Sequence, residues 1–176
     1  LALLGAVIGI AKACVDTAPT LDLAALDAQD KTSFIYDSEG NLITDYKGTE
    51  DRIMVSIDEI PEMLQNAFIA VEDARFYEHD GVDYYGLTRA FVNNLIPGGS
   101  KQGASTITQQ LAKNFFLTSE RTYTRKFYEA LMAKKIENSL TKDEILERYM
   151  NHIYLGERAY GFAAAADIYF NKDIKD

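Results

Sequence analysis

Apolar residues recur along the chain at three spacings, and each spacing predicts a different kind of element. From Leu1 to Ala11 they run without a break. At Phe34-Ile35-Tyr36 and Leu42-Ile43-Thr44 they form two short stretches about Gly40-Asn41, the pattern of two strands joined by a turn. From Asp58 onward the period lengthens to that of a helix. Asp58 precedes a first helix with Pro61 in its opening turn and Leu64, Ala67, Phe68 and Val71 as its apolar stripe. A second runs from about Asp83 to Ile96 and is stopped by Pro97-Gly98-Gly99. A third starts at Ser105, with Ile107, Leu111 and Phe115 four apart, and a fourth covers roughly Thr122 to Leu140. Thr141-Lys142-Asp143-Glu144 is a capping-box pattern opening a fifth helix, with Ile145, Leu146 and Tyr149 on its buried side. A sixth, rich in alanine and suited to close packing, spans Gly161 to Phe170. The pattern predicts a mainly α domain with a small β element near its start, preceded by a small, polar, acidic stretch (Val15 to Asp30) that reads as a tether or a short helix.

Composition changes this picture in two places. Hydrophobic content of 47% with 26% charged residues is that of a folded globular chain, and 176 residues make one domain of ordinary size. A net charge of −9 argues against non-specific nucleic-acid binding. The charge is uneven, however: residues 101–136 carry a local +5 and the remainder −14. A basic island in an acidic protein points to an anionic ligand, with a solvated helix face as the competing reading. The Leu1–Ala11 run is too short to span a bilayer, which takes about 20 residues. It reads as the outer end of a truncated signal anchor. A cleavable signal peptide ending near Ala11-Lys12-Ala13 is the alternative, and a lipoprotein cysteine at Cys14 a weaker one. Both leading readings put the rest of the chain outside the cytoplasm. Cys14 is the single cysteine, so an intrachain disulfide is excluded.

Three segments carry candidate chemistry. In Glu72-Asp73-Ala74-Arg75-Phe76-Tyr77-Glu78-His79-Asp80-Gly81, Glu72 lies one turn from Phe68 and one from Phe76. A carboxylate partly desolvated by aromatic neighbours suits a general base, while the competing reading pairs it with Arg75 at i+3. His79 reads either as a structural hydrogen-bonder or as a catalytic group. With His79 and His152 the only histidines, a His-rich metal site is excluded. In Gly103-Ala104-Ser105-Thr106-Ile107-Thr108-Gln109-Gln110, a small-residue turn opens a helix whose backbone N–H groups are expected to hold an anion. Thr106, Gln110 and Lys113 form a polar stripe along it, suited to sugar hydroxyls and phosphate oxygens. On the next helix Arg125 and Lys126 are placed to grip a diphosphate while Glu129 orients them; a surface ion pair is the plainer reading. The Gly98–Gly103 loop lacks the Gly-Lys-Ser/Thr step of a P-loop. Ser139-Leu140-Thr141-Lys142 fits a Ser-x-x-Lys pattern but has no Lys-Thr-Gly partner and straddles a helix junction.

Taken together, these segments resemble the glycosyltransferase family 51 domain, the peptidoglycan polymerase of class A penicillin-binding proteins and monofunctional transglycosylases. Five motifs of that family occur in order: Glu72 to Gly81, Gly103 to Gln110 followed by Lys113 and Asn114, Arg125 to Glu129, Lys142 to Asn151, and Tyr160 to Lys172. The resemblance implies a lysozyme-like fold with a helical head lobe and a small membrane-proximal jaw. It implies a membrane anchor segment at 1–14, a linker at 15–31 and a glycosyltransferase domain at 32–176 that is truncated at its C-terminal end. The implied reaction is inverting polymerisation of lipid II with release of undecaprenyl diphosphate. Glu72 would be the general base and Glu129 the second carboxylate; Ser105, Thr106, Gln109, Gln110, Lys113, Asn114, Arg125 and Lys126 would bind substrate. No cofactor is implied; a divalent cation would assist the diphosphate, but no dedicated metal ligands are evident. Lipid II, the growing glycan, the bacterial membrane and other cell-wall synthesis proteins are the implied partners, on the extracytoplasmic face of a single-pass anchor. A lysozyme-like muramidase or lytic transglycosylase, or an inactive glycan- or lipid-binding module, is the alternative.

Overall fold

The computed structural model describes residues 12, 15–24, 32–46, 50–96, 103–117 and 122–176. Its elements are strands β1 (Ser33–Tyr36), β2 (Leu42–Tyr46), β3 (Asp51–Arg52) and β4 (Ala159–Tyr160), and helices α1 (Glu62–Glu72), α2 (Tyr84–Leu95), α3 (Ile107–Phe116), α4 (Tyr123–Glu137), α5 (Lys142–His152) and α6 (Phe162–Phe170). This mainly helical content, with the β hairpin near its start, agrees with the lysozyme-like expectation. The backbone clusters into two compact units, one built from Leu1–Asp22 with Ile69–Lys142 and the other from Leu23–Phe68 with Asp143–Asp176.

In the second unit β1 and β2 pair antiparallel, as predicted. Asp37 fastens their turn by accepting from the Glu39 and Asn41 amides at 2.8 Å, and these bonds, the Asn41 side chain's first, hold its pKa below the usual carboxylate value. The two-residue parallel pair β3–β4 has too little pattern to read in advance. Phe68 packs on Tyr149 and Phe162 with ring centroids 5.3 Å away in both cases. Ala159, Ala164 and Ala165 form a small close-packed core with Ile53, Leu155 and Ile168 against it. The alanines allow α6 to lie close, as the sequence predicted. Asn151 ties α5 to the chain before α1 by accepting from the Val55 amide and donating to the Val55 carbonyl. The loop before β4 is closed by a 2.7 Å bond from the Ala159 amide to the Gly156 carbonyl, with Glu157 and Arg158 at φ of 45° and 66°. Positive φ at both central residues is the habit of a type I′ hairpin turn, which favours Asn-Gly there.

The first unit is centred on Phe76, Ile107, Leu111, Ala112, Met132, Ala133 and Ile136, all fully buried. Its α2 is different: it buries Gly86 and Ala90, while Tyr84, Leu87, Phe91, Val92, Leu95 and the adjoining Ile96 stay exposed. Part of the expected tether is placed against α4, where Thr17 and Tyr128 share a hydroxyl hydrogen bond of 2.8 Å and Lys135 donates to the Pro19 carbonyl at 3.1 Å.

Several boundaries differ from the sequence reading. Asp58 sits in a single 3-10 turn (Ile57–Glu59), and α1 begins only at Glu62, after Pro61. Of the expected α1 stripe, Ala67 is exposed and Val71 is 82% exposed, while Ile69 is buried in their place. The fourth helix ends at Glu137 rather than Leu140. The Leu1–Ala11 run and the 97–102 loop lie outside the described residues, among which no helix is long and apolar enough to cross a membrane.

Candidate active site

All ten residues singled out by sequence lie in the unit that contains Ile69–Lys142. Glu72 is the last residue of α1 and is exposed, so the partial burial expected from its aromatic flanks is absent. Phe68 is engaged with Tyr149 and Phe162, and Phe76 is buried against Tyr77. Nor is Glu72 paired with Arg75, whose guanidinium stacks on Tyr85 at 4.6 Å and contacts Glu78 and Asp83. Instead Gln110 of α3 donates to Glu72 Oε2 at 2.9 Å. Beside Glu72 lies an open cleft of about 150 Å³, lined by the end of α1, Arg75, Asp83, Arg89 and Gly103–Thr106.

The start of α3 differs from the expected anion cradle. Its first amide, Ile107 N–H, donates to Asp73 Oδ2 at 3.0 Å, and the Gln109 amide donates to Thr106 Oγ1 at 3.1 Å. The helix N-terminus does hold an anion, as its dipole favours, but that anion is Asp73. Thr106 is 2% exposed, donates to the Gly81 carbonyl at 2.7 Å and forms a reciprocal capping box with Gln109. Both side chains are therefore committed to fixing the loop, and Thr106 is not on the polar stripe with Gln110 and Lys113. Lys113 and Asn114 are exposed.

Asp73 also receives His79 Nε2 at 3.0 Å from each carboxylate oxygen. The Gly81 amide donates to His79 Nδ1 at 3.2 Å. Because an amide N–H can only donate, Nδ1 accepts and the ring proton sits on Nε2. His79 is thus the structural hydrogen-bonder of its two readings. Gly81 has φ +90°, and a Cβ there would stand 3.0 Å from the backbone of Ala133. The turn is closed onto α4 in a way only glycine permits.

On α4 the expected charge cluster is present. Glu129 is 1% exposed and sits between Arg125 Nε at 3.3 Å and Lys126 Nζ at 2.5 Å. Lys126 also donates to Ser105 Oγ at 3.0 Å, which joins α4 to the loop before α3. Lys126 hydrogen-bonds Glu129, whereas Arg125 meets it by charge alone, Glu129 Oε1 having no hydrogen-bond partner among the described residues. A buried carboxylate held this way depends on both cations, so Glu129 fixes where their charges point. The Lys126 side chain remains 53% exposed and can still meet a ligand.

The sequence reading did not give a role to Asp73, Glu137 or Lys142. The signal for Asp73 is its place beside Glu72 and six residues before His79, and that for Lys142 is its position at the head of the Lys142 to Asn151 motif; nothing local marks Glu137.

The model of the family described as transglycosylase matches residues 39–176. The chain belongs to the transglycosylase family. As a member of it, the chain carries a peptidoglycan glycosyltransferase domain. This transglycosylase is 60% identical over 142 residues to penicillin-binding protein 1A of Neisseria cinerea, covering 81% of the chain and 18% of that protein. Identity to penicillin-binding protein 1A of Neisseria gonorrhoeae is 58% over the same shares, and to that of Escherichia coli strain K12 it is 57% over 140 residues, 80% of the chain and 16% of the relative. The transglycosylase chain therefore spans less than a fifth of the length of these curated relatives.

Proposed function

We propose that this domain polymerises lipid II with inversion and that Glu72, not Glu129, is its general base. The observation that carries the reading is the contrast between the two carboxylates. Gln110 occupies one oxygen of Glu72, and the rest of this exposed group faces the cleft side of α1, open to an incoming hydroxyl. Glu129 is buried and already shared by two cations. In the reaction, the acceptor sugar's 4-hydroxyl oxygen forms a bond to C1 of the donor as the C1–O bond to diphosphate breaks. The hydroxyl proton goes to Glu72 and the electron pair leaves with undecaprenyl diphosphate. Attack opposite an α-linked leaving group gives the β-linked product. Arg125, Lys126 and Lys113 bear the diphosphate charge, Ser105 and Asn114 line its approach, and Thr106 and Gln109 hold the loop in place. No group of three or more His, Cys, Asp or Glu among the described residues is placed to hold a metal; a divalent cation in this scheme rides on the substrate's own phosphates.

A polyprenyl substrate lives in a bilayer, and the exposed apolar face of α2 supports apposition to one. Six large apolar side chains on a single helix and its end exceed the scatter of isolated surface hydrophobes. The anchor at 1–14, the extracytoplasmic location and partners in cell-wall synthesis belong to the same proposal. Incubation with lipid II and, separately, with finished peptidoglycan tests it. Polymer from lipid II supports the reading, fragments from peptidoglycan mean a muramidase, and neither product means a binding module.

A further inference from the structure

Lys142, the first residue of α5, contacts nothing in the cleft, yet its ammonium is embedded in the framework around Glu72. It donates to the His79 carbonyl at 2.6 Å and to Glu137 Oε1 at 2.7 Å, and lies 4.4 Å from the centroid of the Phe76 ring. Glu137 is almost fully buried, with 7% of its side chain exposed, and its Oε1 also accepts from Thr108 at 2.7 Å. Thr108 is fully buried on α3, the helix that supplies Gln110 to Glu72. One carboxylate oxygen thus joins α3 to Lys142, and Lys142 joins both to the 76–81 turn, which begins four residues after Glu72. Three kinds of attraction converge on that ammonium: an ion pair, a carbonyl hydrogen bond and a ring face. Taking the charge away leaves Glu137 buried with a hydroxyl as its remaining partner.

We propose that Lys142 is a positioning residue for the glycosyl-transfer step, acting through Glu137, Thr108 and the 76–81 turn to hold Glu72 in register with Gln110. The inference rests on the reading of Glu72 as general base. It predicts an effect on turnover, because the framework sets the aim of the base, and little effect on substrate affinity, because the cations that bear the diphosphate are elsewhere on α3 and α4.

The test uses lipid II polymerisation by the full chain, with kcat, KM and thermal unfolding measured on each variant. Lys142→Met keeps an apolar stem over Phe76 and removes the charge. Lys142→Met with Glu137→Gln removes the charge imbalance as well. Lys142→Arg keeps the charge. Expected results are a fall in kcat of tenfold or more in both Met variants, with KM within about twofold, and recovery to within a few-fold in the Arg variant. The double variant is expected to unfold near the wild-type temperature yet stay slow, which a merely structural role does not allow. A folded double variant with wild-type kcat overturns the proposal, as does a loss that appears only in KM. Failure of both Met variants to fold also overturns it, making Lys142 a folding residue. Loss of the underlying reading looks different, since then the unaltered chain makes no polymer or Glu72→Gln stays active.

Discussion

Replacing Glu72 by Gln changes one oxygen to nitrogen and leaves the shape of the side chain intact. The structure makes the stability cost small. Glu72 is exposed and its one described partner is the neutral Gln110 amide, and surface changes of this kind stay within about 0.5 kcal/mol. The cost in rate is large, because an amide cannot take the hydroxyl proton. Loss of a general base is worth at least ~100-fold, about 2.7 kcal/mol in the barrier. Glu129→Gln should behave in the opposite way. Its carboxylate is 1% exposed between Arg125 and Lys126, and removing a buried charged hydrogen-bond partner costs roughly 1–3 kcal/mol. The Lys126 side chain is 53% exposed and keeps its hydration, which puts the loss in the lower half of that range. At roughly 2–4 °C per kcal/mol for a chain of this size, unfolding should come several degrees earlier. The assay pairs a melting curve with turnover on lipid II and affinity for a diphosphate-mimicking inhibitor. Glu72→Gln should melt normally, bind normally and turn over at least ~100-fold more slowly, while Glu129→Gln loses stability, affinity and rate together. Near-normal turnover in Glu72→Gln would refute the mechanism, and a Glu129→Gln that loses only rate would reverse the two roles.

The geometry sets four further outcomes. Lys113→Ala removes an exposed cation, so it should leave the melting temperature unchanged while weakening the diphosphate mimic roughly 10- to 150-fold, the range of a charge-assisted contact; equal binding would remove Lys113 from the site. Glu157→Gly relieves a positive φ in the loop before β4; a left-handed cost of about 1–2 kcal/mol less an entropic cost of about 0.5–1 kcal/mol for glycine leaves a modest stabilisation with unaltered turnover, and a destabilised variant would mean that the Glu157 side chain makes a needed contact. Phe91→Asn with Leu95→Asn should reduce sedimentation with lipid vesicles without changing the melting temperature, and unchanged partitioning would free α2 from the membrane. Glu59 is held down to about 2 from 4.5, first by the Lys175 hydrogen bond and then by the Ser56 amide and hydroxyl. Its folded pKa being depressed, its contribution is present above pH 4.5 and lost as pH falls toward 2, so Lys175→Met should flatten stability against pH in that window; an unchanged acid limb would show that the exposed pair contributes nothing.

Much of this was legible in the sequence because it is local. Helix periods, the Gly40-Asn41 turn and the Arg125–Glu129 spacing are set within a few residues, and the alanines of α6 declare close packing by themselves. The Glu72 environment was not legible, since helical spacing says which residues share a face and not what covers it. Phe68 and Phe76 are one turn away on either side, yet each ring points to its own packing partners. The start of α3 misled for a related reason. Its amides are expected to hold a ligand's anion, but the first goes to Asp73, 34 positions earlier in the chain, and no short-range pattern announces such a pairing. The pairing of Glu137 with Lys142 is not legible, although Lys142 heads a motif, because a buried ion pair and a surface one have the same sequence spacing.

An anion held by backbone amides is beyond the reach of mutation, since every residue but proline supplies the same N–H. Here the first amide of α3 is already given to Asp73, so in the proposed site the diphosphate falls to Lys113, Arg125 and Lys126. Those are codons, and codons change. An inhibitor that imitates the diphosphate therefore meets a surface from which resistance is one substitution away, though each such substitution also loosens the natural donor. A compound that engages Glu72 or the packed backbone of the 76–81 turn faces atoms that cannot be exchanged without losing the reaction or the loop that supports it.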